Sequence, residues 1–275
     1  MKARSASADG SADARGARGR RGRDGRGAAA RQAAGAPPGP HERQAAGAPP
    51  GPHDLLAALA GEITACRRCP RLVRCREAAA ATPPRRFRGQ PYWARPVTGF
   101  GDPAATLLVV GLAPAAHGGN RTGRVFTGDR SGDWLYAALH RAGFANQPTS
   151  TAVDDGLVLR GAYVSVVVRC APPGNKPSPA ERDRCIGYLA RELALLGQVR
   201  AVIALGAFAW DGVLRAAGLL GHALPRPRPR FGHEATARIG PWLLVGSYHV
   251  SQQNTFTGRL TEPMLDRVFA RARAA

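Results

Sequence analysis

The sequence predicts an α/β protein built around a parallel sheet whose two faces are covered by helices. Short, nearly continuous apolar runs alternate with stretches in which apolar residues recur at helical spacing. Strands that are apolar on both sides are typical of parallel sheets buried between two helical layers. Polar or Gly/Pro-rich loops follow three of the four apolar runs, at the sheet edge where such folds bind ligands.

The individual elements follow from local patterns. Apolar and β-branched character predicts four strands, at residues 106–111, 162–168, 199–206 and 241–249. Helical spacing predicts helices at 54–66, 132–144, 178–197, 207–218 and 260–273. Asp54 is expected to cap the first helix. The helix at 178–197 has the clearest start, since Ser178 and Glu181 form a capping box around Pro179.

Composition divides the chain into a tail, residues 1–53, and a folded domain, residues 54–275. The tail consists mainly of Ala, Gly, Arg and Pro, so it buries too little apolar surface to offset the entropy of ordering. We expect it to be disordered. A twelve-residue unit within it, RQAAGAPPGPHE, recurs once as RQAAGAPPGPHD, which is typical of a low-complexity linker.

Targeting signals are not evident. No apolar run approaches the ~18–20 residues that a membrane span needs, and the first thirty residues lack the apolar core of a secretory signal. The expectation is therefore a cytoplasmic protein that does not act at a membrane.

The net charge of +20 points to a polyanionic partner. The tail contributes +6 of it, so the folded part carries +14. A basic body favours nucleic acid, although a solvated arginine-rich surface explains the same number equally well. Lys2 and Lys176 are the only lysines. Nearly all the positive charge is therefore arginine, which binds phosphate in a bidentate geometry.

Four of the five cysteines form two pairs that suit a metal site. Cys66 and Cys69 have chelate spacing, and Cys170 and Cys185 bracket the loop between a strand and the next helix. Four thiolates bind zinc or a [4Fe–4S] cluster, and spacing alone does not choose between them. Alternatively, the second pair is only buried packing. The fifth thiol, Cys75, competes as a ligand.

Two of the strand-end loops carry candidate catalytic groups. The loop after the first strand contains Phe126 and, three residues later, Asp129; His249 ends the fourth strand. A ring, a carboxylate and an imidazole suit hydrolysis of a flat ligand. On the residues alone, however, Asp129 is equally a helix cap, Phe126 a core residue and His249 a structural histidine.

Four blocks together resemble the uracil-DNA glycosylase superfamily, and most closely its type-5 (family 5) members. The blocks are CRRCPRLVRCRE, GLAPAAHGGNRTGRVFTGD, VVRCAPPGNKPSP and HVSQQNTFTGRLT, and they cover roughly residues 55–270 in the expected order. The resemblance implies a three-layer α/β/α sandwich with a short, mainly parallel four-stranded sheet. It also implies hydrolysis of the N-glycosidic bond of a damaged base, with a [4Fe–4S] cluster on Cys66, Cys69, Cys170 and Cys185.

The resemblance implies roles for individual residues. Phe126 stacks on a base flipped out of the DNA, Asn175 presents its amide to the uracil edge, His249 stabilises the leaving base, and Asp129 stabilises the sugar or orients water. The other assignments are Ala113, His117 and Asn120 at the base, and Arg121, Arg124, Lys176, Gln252, Gln253 and Arg259 on DNA, where the glutamines fill the gap left by the base.

The sequence also bears on the substrate range, on a lyase step and on alternative functions. Several sister families have a polar activator near the start of the first motif, where this chain has GLAPA without a carboxylate. This difference implies a roomier pocket and substrates that include hypoxanthine. A lyase step needs an amine, and the folded part has only Lys176, so we expect a monofunctional enzyme. We also expect it to be a monomer that acts on double- and single-stranded DNA. The alternatives are a non-catalytic iron–sulfur nucleic-acid-binding module of the same fold and a nucleotide-binding hydrolase that acts on a small-molecule substrate.

Overall fold

The structure is a computed structural model that describes residues 50–275. The predicted disorder of the tail and its repeat lie outside these residues, except for the last few positions. The first helix begins at Pro52, two residues earlier than expected. Asp54 is therefore not its N-cap; its carboxylate accepts a hydrogen bond from the backbone N–H of Gly51, which holds the cap position.

One mixed sheet forms the centre of the described region. Its strands are β1 Phe100–Gly101, β2 Leu107–Gly111, β3 Ala162–Val166, β4 Ala201–Leu205, β5 Thr236–Ile239 and β6 Trp242–Ser247. The order is β1-β3-β2-β4-β6-β5. The four predicted strands are the parallel centre, β3-β2-β4-β6. The expected number of four strands was too low, because short antiparallel strands β1 and β5 extend the two edges.

Helices cover both faces of the sheet, which confirms the three-layer α/β architecture. They are α1 Pro52–Ala65, α2 Pro70–Ala81, α3 Gly119–Thr122, α4 Arg130–Arg141, α5 Pro179–Leu195, α6 Ala207–Leu219, α7 Gln252–Thr255 and α8 Glu262–Arg273. The capping box at Ser178 and Glu181 is present at the start of α5. None of the helices described between residues 50 and 275 has the length and apolar character to cross a membrane.

Alternate residues of the strands feed two separate cores. Leu108 and Val110 of β2 pack with α1, α2, α5 and α6 on one face. Leu107 and Val109 pack with α4 and α8 on the other. Successive side chains of a strand point to opposite faces, and both faces are buried, so the strand sequence is continuously apolar rather than alternating.

A buried ion pair joins the end of β3 to α5. The guanidinium of Arg169 makes two hydrogen bonds to the carboxylate of Glu192, at 2.9 and 2.5 Å, and the side chains are 1% and 2% exposed. The hydroxyl of Ser165 donates to the same carboxylate. The backbone N–H of Arg169 in turn donates to the sulfur of Cys185 at 3.3 Å. The pair therefore fixes the position of the segment that carries Cys170 and Cys185.

Removing one partner of this pair is expected to destabilise the fold strongly. Glu192→Ala leaves Arg169 buried without a counter-charge, and we expect the free energy of unfolding to fall by about 3–5 kcal/mol. Urea denaturation followed by circular dichroism measures it. The matched control is Glu62→Ala, which removes a carboxylate from an exposed ion pair with Arg191; equal denaturation midpoints in the two variants would contradict the role assigned to the buried pair.

Candidate active site

A cleft of about 930 Å³ lies at the carboxyl edge of the parallel strands. Its walls come from the loops after β2, β3 and β6 and from the segment between α2 and β1. Residues that line it include Phe87, His117, Asp129, Asn175, Ser251 and Gln252. Loops far apart in the sequence therefore meet over one cavity, as the strand-end argument predicts.

Asp129 has two structural relations in this cleft. It is the N-cap of α4, and its Oδ1 accepts a hydrogen bond from the backbone N–H of Gly132 at 3.0 Å. Its carboxylate also lies against Gly118, where a Cβ would overlap it. Burial raises the pKa of the Asp129 carboxyl, although the N–H groups of Ser131 and Gly132 oppose the rise. The side chain is thus both a helix cap and a cleft wall, so the two interpretations from sequence are compatible.

His249 follows β6 beside the ring of Phe126. The two ring centroids are 6.2 Å apart, and the His249 carbonyl accepts a hydrogen bond from the amide of Asn254 at 2.8 Å. Burial lowers the pKa of His249 to about 4, so the imidazole is neutral at pH 7. Neither the His249 ring nor the Phe126 ring is among the described residues that line the cleft.

Phe126 packs against the end of β2. Its ring occupies the space over Gly111, where any Cβ would collide with it. The residue is 7% exposed and has a φ of 51°, which is unusual for a side chain of this size. Ala113, predicted to contact the base, is half-buried against the core that α5 and α6 share. Neither residue is presented on the open surface of the cleft.

Asn175 lies on the cleft wall as predicted. It ends a tight turn, Pro173–Asn175, and it is exposed. Gly174 and Asn175 both adopt positive φ, 58° and 56°, a conformation that Gly and Asn tolerate best. The adjacent Lys176 is exposed, and its carbonyl accepts a hydrogen bond from Arg71. The PPGN sequence thus directs the amide toward the cavity side of the turn.

His117 also lies on the wall. Its Nδ1 is 2.9 Å from the hydroxyl of Tyr92. Burial, together with the positive charges of Arg86 and Arg121, lowers the pKa of His117. Arg121 lines the cleft, but its guanidinium donates to the carbonyls of His117 and Gly128. It therefore braces the loop as well as adding positive charge.

Two further predicted site residues are buried away from the cleft. Arg124 was expected on DNA, but its side chain is 4% exposed and pairs with Asp155 at 2.7 Å and Ser150 at 2.8 Å. Asn120 was expected at the base, but it is fully buried, and its amide donates to the carbonyls of Arg76 and Ala116. Both predictions placed the residues correctly along the motif and were wrong about where the side chains lie.

The predicted DNA-contacting residues after β6 are exposed. Gln252 and Gln253 begin α7 on the cleft wall, and Arg259 lies over the ring of Tyr248 with 4.6 Å between guanidinium and ring centroid. Arg86 and Phe87, to which the sequence patterns assigned no role, line the cleft from the segment between α2 and β1. The basic and aromatic run RRF was the available signal.

The four paired cysteines line a second, small cavity. Cys66, Cys69, Cys170 and Cys185 share it with Arg68 and Tyr188. All are free thiols. Burial raises the pKa of Cys170 to about 11 and that of Cys185 to about 12. Burial acts the same way on Cys66, but hydrogen bonds from Arg68 and Tyr188 outweigh it and lower the pKa of that thiol.

The remaining thiol belongs elsewhere. Cys75 lies on the wall of the large cleft rather than in the cavity of the other four. Among residues 50–275, no three His, Cys, Asp or Glu side chains converge closely enough to hold a single metal ion.

Comparison with known proteins agrees with this geometry. The family model described as the uracil DNA glycosylase superfamily matches residues 98–273. The chain is 54% identical over 213 residues to a type-5 uracil-DNA glycosylase of Mycobacterium tuberculosis, covering 77% of this chain and 78% of that protein. It is 51% identical over 217 residues to a type-5 uracil-DNA glycosylase of Thermus thermophilus, covering 78% and 96%.

A more distant relative marks the limit of the similarity. A type-4 uracil-DNA glycosylase of Archaeoglobus fulgidus is 30% identical over 114 residues, covering 41% of this chain and 49% of that protein. The type-5 matches are longer and closer in sequence. The chain therefore belongs to the uracil-DNA glycosylase superfamily and, within it, to the type-5 uracil-DNA glycosylases.

Proposed function

We propose that this protein hydrolyses the N-glycosidic bond of uracil in DNA, leaving an abasic site as the first step of base repair. The observation that carries the proposal is the single cleft that joins Asp129 to Asn175, in a chain of this family. A base in a duplex is out of reach of any such cleft, so the nucleotide must leave the stack, at a cost of a few kcal/mol. A monomer is proposed as the active form.

Recognition of the base is assigned to Asn175 and Phe126. A rigid turn holds the Asn175 amide, which has both a donor and an acceptor to offer the edge of uracil. Phe126 lies beside His249 at the end of β2, which suits the floor of a base pocket. The large volume of the cleft supports acceptance of purines such as hypoxanthine besides uracil.

Cleavage of the glycosidic bond places negative charge on the leaving base and positive charge on the sugar. His249 is assigned to the base and Asp129 to the sugar. The leaving base becomes an anion, and a neutral His249 stabilises it by donating a hydrogen bond to a carbonyl oxygen, which is worth a few kcal/mol. The sugar becomes positive, and the Asp129 carboxylate stabilises it or orients the attacking water. Because Asp129 must be ionised for this, its raised pKa sets the acid limit of activity.

The DNA path is proposed to follow exposed positive and amide groups around the cleft. Lys176 and Arg259 are exposed and suit phosphate contacts, and Arg86 adds charge to the wall that Arg121 braces. Gln252 and Gln253 project from the start of α7, where they fill the gap in the stack. Phosphate contacts fix the position of the duplex and carry no sequence information.

A [4Fe–4S] cluster is proposed on Cys66, Cys69, Cys170 and Cys185. The donor set fits, because four thiols line one cavity and a [4Fe–4S] cluster takes four thiolate ligands. When bound, the cluster cross-links the α1–α2 junction to the end of β3 and the start of α5. The cleft residues carry out the chemistry.

Asparagine at position 129 is expected to abolish most activity without loss of the helix cap. Asn caps helices as well as Asp does, so Asp129→Asn isolates the charge. We expect kcat for uracil release from a uracil-containing duplex to fall by about 10²–10⁴, with a melting temperature close to that of the wild type.

The pH profile provides the control for that variant. As pH falls through the raised pKa of Asp129, the ionised carboxylate is lost, so wild-type kcat/KM falls at a pH above the ordinary aspartate pKa of about 3.9. The residual activity of Asp129→Asn should lack this decline. An identical acid limb in both proteins would contradict the assignment.

Loss of one cluster ligand is expected to remove iron, whereas loss of the fifth thiol is not. Cys170→Ser should reduce bound iron and visible absorbance to near zero and lower the denaturation midpoint, because the cross-link is lost. Cys75→Ser is the matched control, since it changes the thiol on the cleft wall. Iron analysis and absorbance spectra of both proteins measure this. Equal iron contents would argue against the ligand set.

The reaction is expected to stop at the abasic site. A lyase step requires an amine that attacks the sugar, and Lys176 is the only lysine outside the tail. Duplexes that contain uracil or hypoxanthine should therefore show breaks only after alkali treatment, scored on denaturing gels. Stoichiometric nicking without alkali would contradict monofunctionality, and an intact hypoxanthine strand would restrict the substrate to uracil.

A further inference from the structure

Arg76 is a buried arginine that has no carboxylate partner in the described part of the chain. It lies in α2 and is 2% exposed. Its Nη1 donates to the sulfur of Cys170 at 3.1 Å and to the carbonyl of Cys66 at 3.4 Å. Its Nε is buried and has no hydrogen-bond partner. The positive charge therefore faces the four-thiol cavity.

The other buried arginines show what is unusual about it. Arg169 is paired with Glu192, and Arg124 is paired with Asp155. A buried ion without a counter-charge costs several kcal/mol, and arginine does not lose its proton in proteins. The guanidinium of Arg76 donates to the sulfur of Cys170, so a metal-bound thiolate at Cys170 would supply the balancing charge.

The backbone of Arg76 leads from this cavity to the catalytic cleft. Its carbonyl accepts a hydrogen bond at 3.1 Å from the buried amide of Asn120. The same amide donates to the carbonyl of Ala116 at 3.2 Å, and the Asn120 N–H donates to Ala115 at 3.1 Å. Asn120 thus ties α2 to the loop 115–118, and this loop ends at Gly118, against which the Asp129 carboxylate rests.

We propose that Arg76 is the internal counter-ion of the four-thiolate cluster and that Asn120 is a positioning residue, which couples the Arg76 segment to the loop beneath Asp129. The proposal rests on the proposed function, since it needs both the cluster and the role of Asp129. The buried Asn120 amide then supports the position of Asp129 without contacting the base. With the thiolate charge missing, Arg76 is uncompensated, α2 shifts, and the loop under Asp129 shifts with it.

The counter-ion role is tested on the full-length protein with Arg76→Gln and Arg76→Lys. A positive hydrogen-bond donor next to a cluster sulfur raises the reduction potential. Arg76→Gln should therefore shift the potential to more negative values or lose iron, while Arg76→Lys, which keeps the charge, stays closer to wild type in both readouts. Wild-type iron and potential in Arg76→Gln, or equal loss in both variants, would overturn the role.

The positioning role is tested with Asn120→Ala. We expect kcat to fall about 10- to 100-fold while KM, iron content and reduction potential stay near wild-type values. Asn146→Ala is the matched control, since Asn146 also bridges loop backbone, donating to Gly156 and accepting from Val158. A wild-type kcat in Asn120→Ala, or the same loss in Asn146→Ala, would overturn the proposal.

Combining the variants tests the connection itself. Arg76→Gln should lower kcat in the wild-type background and have little further effect in the Asn120→Ala background, whereas independent roles would give losses that multiply. Wild-type measurements separate the two levels of failure. If the wild type binds no iron or releases no uracil, the proposed function fails; if it does both and the variants behave independently, only this inference fails.

Discussion

The cleft depends on four adjacent strands that run in the same direction. A parallel arrangement brings the end of every strand to one edge, so the loops after β2, β3 and β6 meet there although the first and the last are more than 100 residues apart in the chain. The loop after β4 differs, because α6 starts at once. Gly206 has a φ of 93°, a backbone conformation that glycine adopts without strain.

The same edge also holds the thiol cavity. Cys170 follows β3 by a few residues, and the buried pair of Arg169 and Glu192 fixes this segment to α5, from which Cys185 comes. Cleft and cavity therefore share one loop, the turn that carries Asn175 between the two cysteines. Any group that binds all four thiols therefore joins α1 and α2 to a segment that the core already holds in place.

Local patterns in the sequence were sufficient for the parallel strands, the start of α5, the pairing of the cysteines and the cleft itself. They were insufficient where a side chain finds a partner distant in sequence. Arg124 was assigned to phosphate because its partner Asp155 is 31 residues away in the sequence, where no local pattern reveals the pairing. Asn120 was assigned to the base for the same reason, since its partner Arg76 lies 44 residues earlier. The edge strands escaped notice because one has two residues and the other is largely exposed.

Asp129 begins the helix that holds it in place, and this ties the evolution of α4 to that of the reaction. On the role proposed for Asp129, a change that keeps the cap but removes the charge would give a folded chain that does not process damage. A change that moves the cap by one position alters where the carboxylate stands over Gly118. Sequence drift at the start of α4 is then constrained both by the helix cap and by the position of the carboxylate.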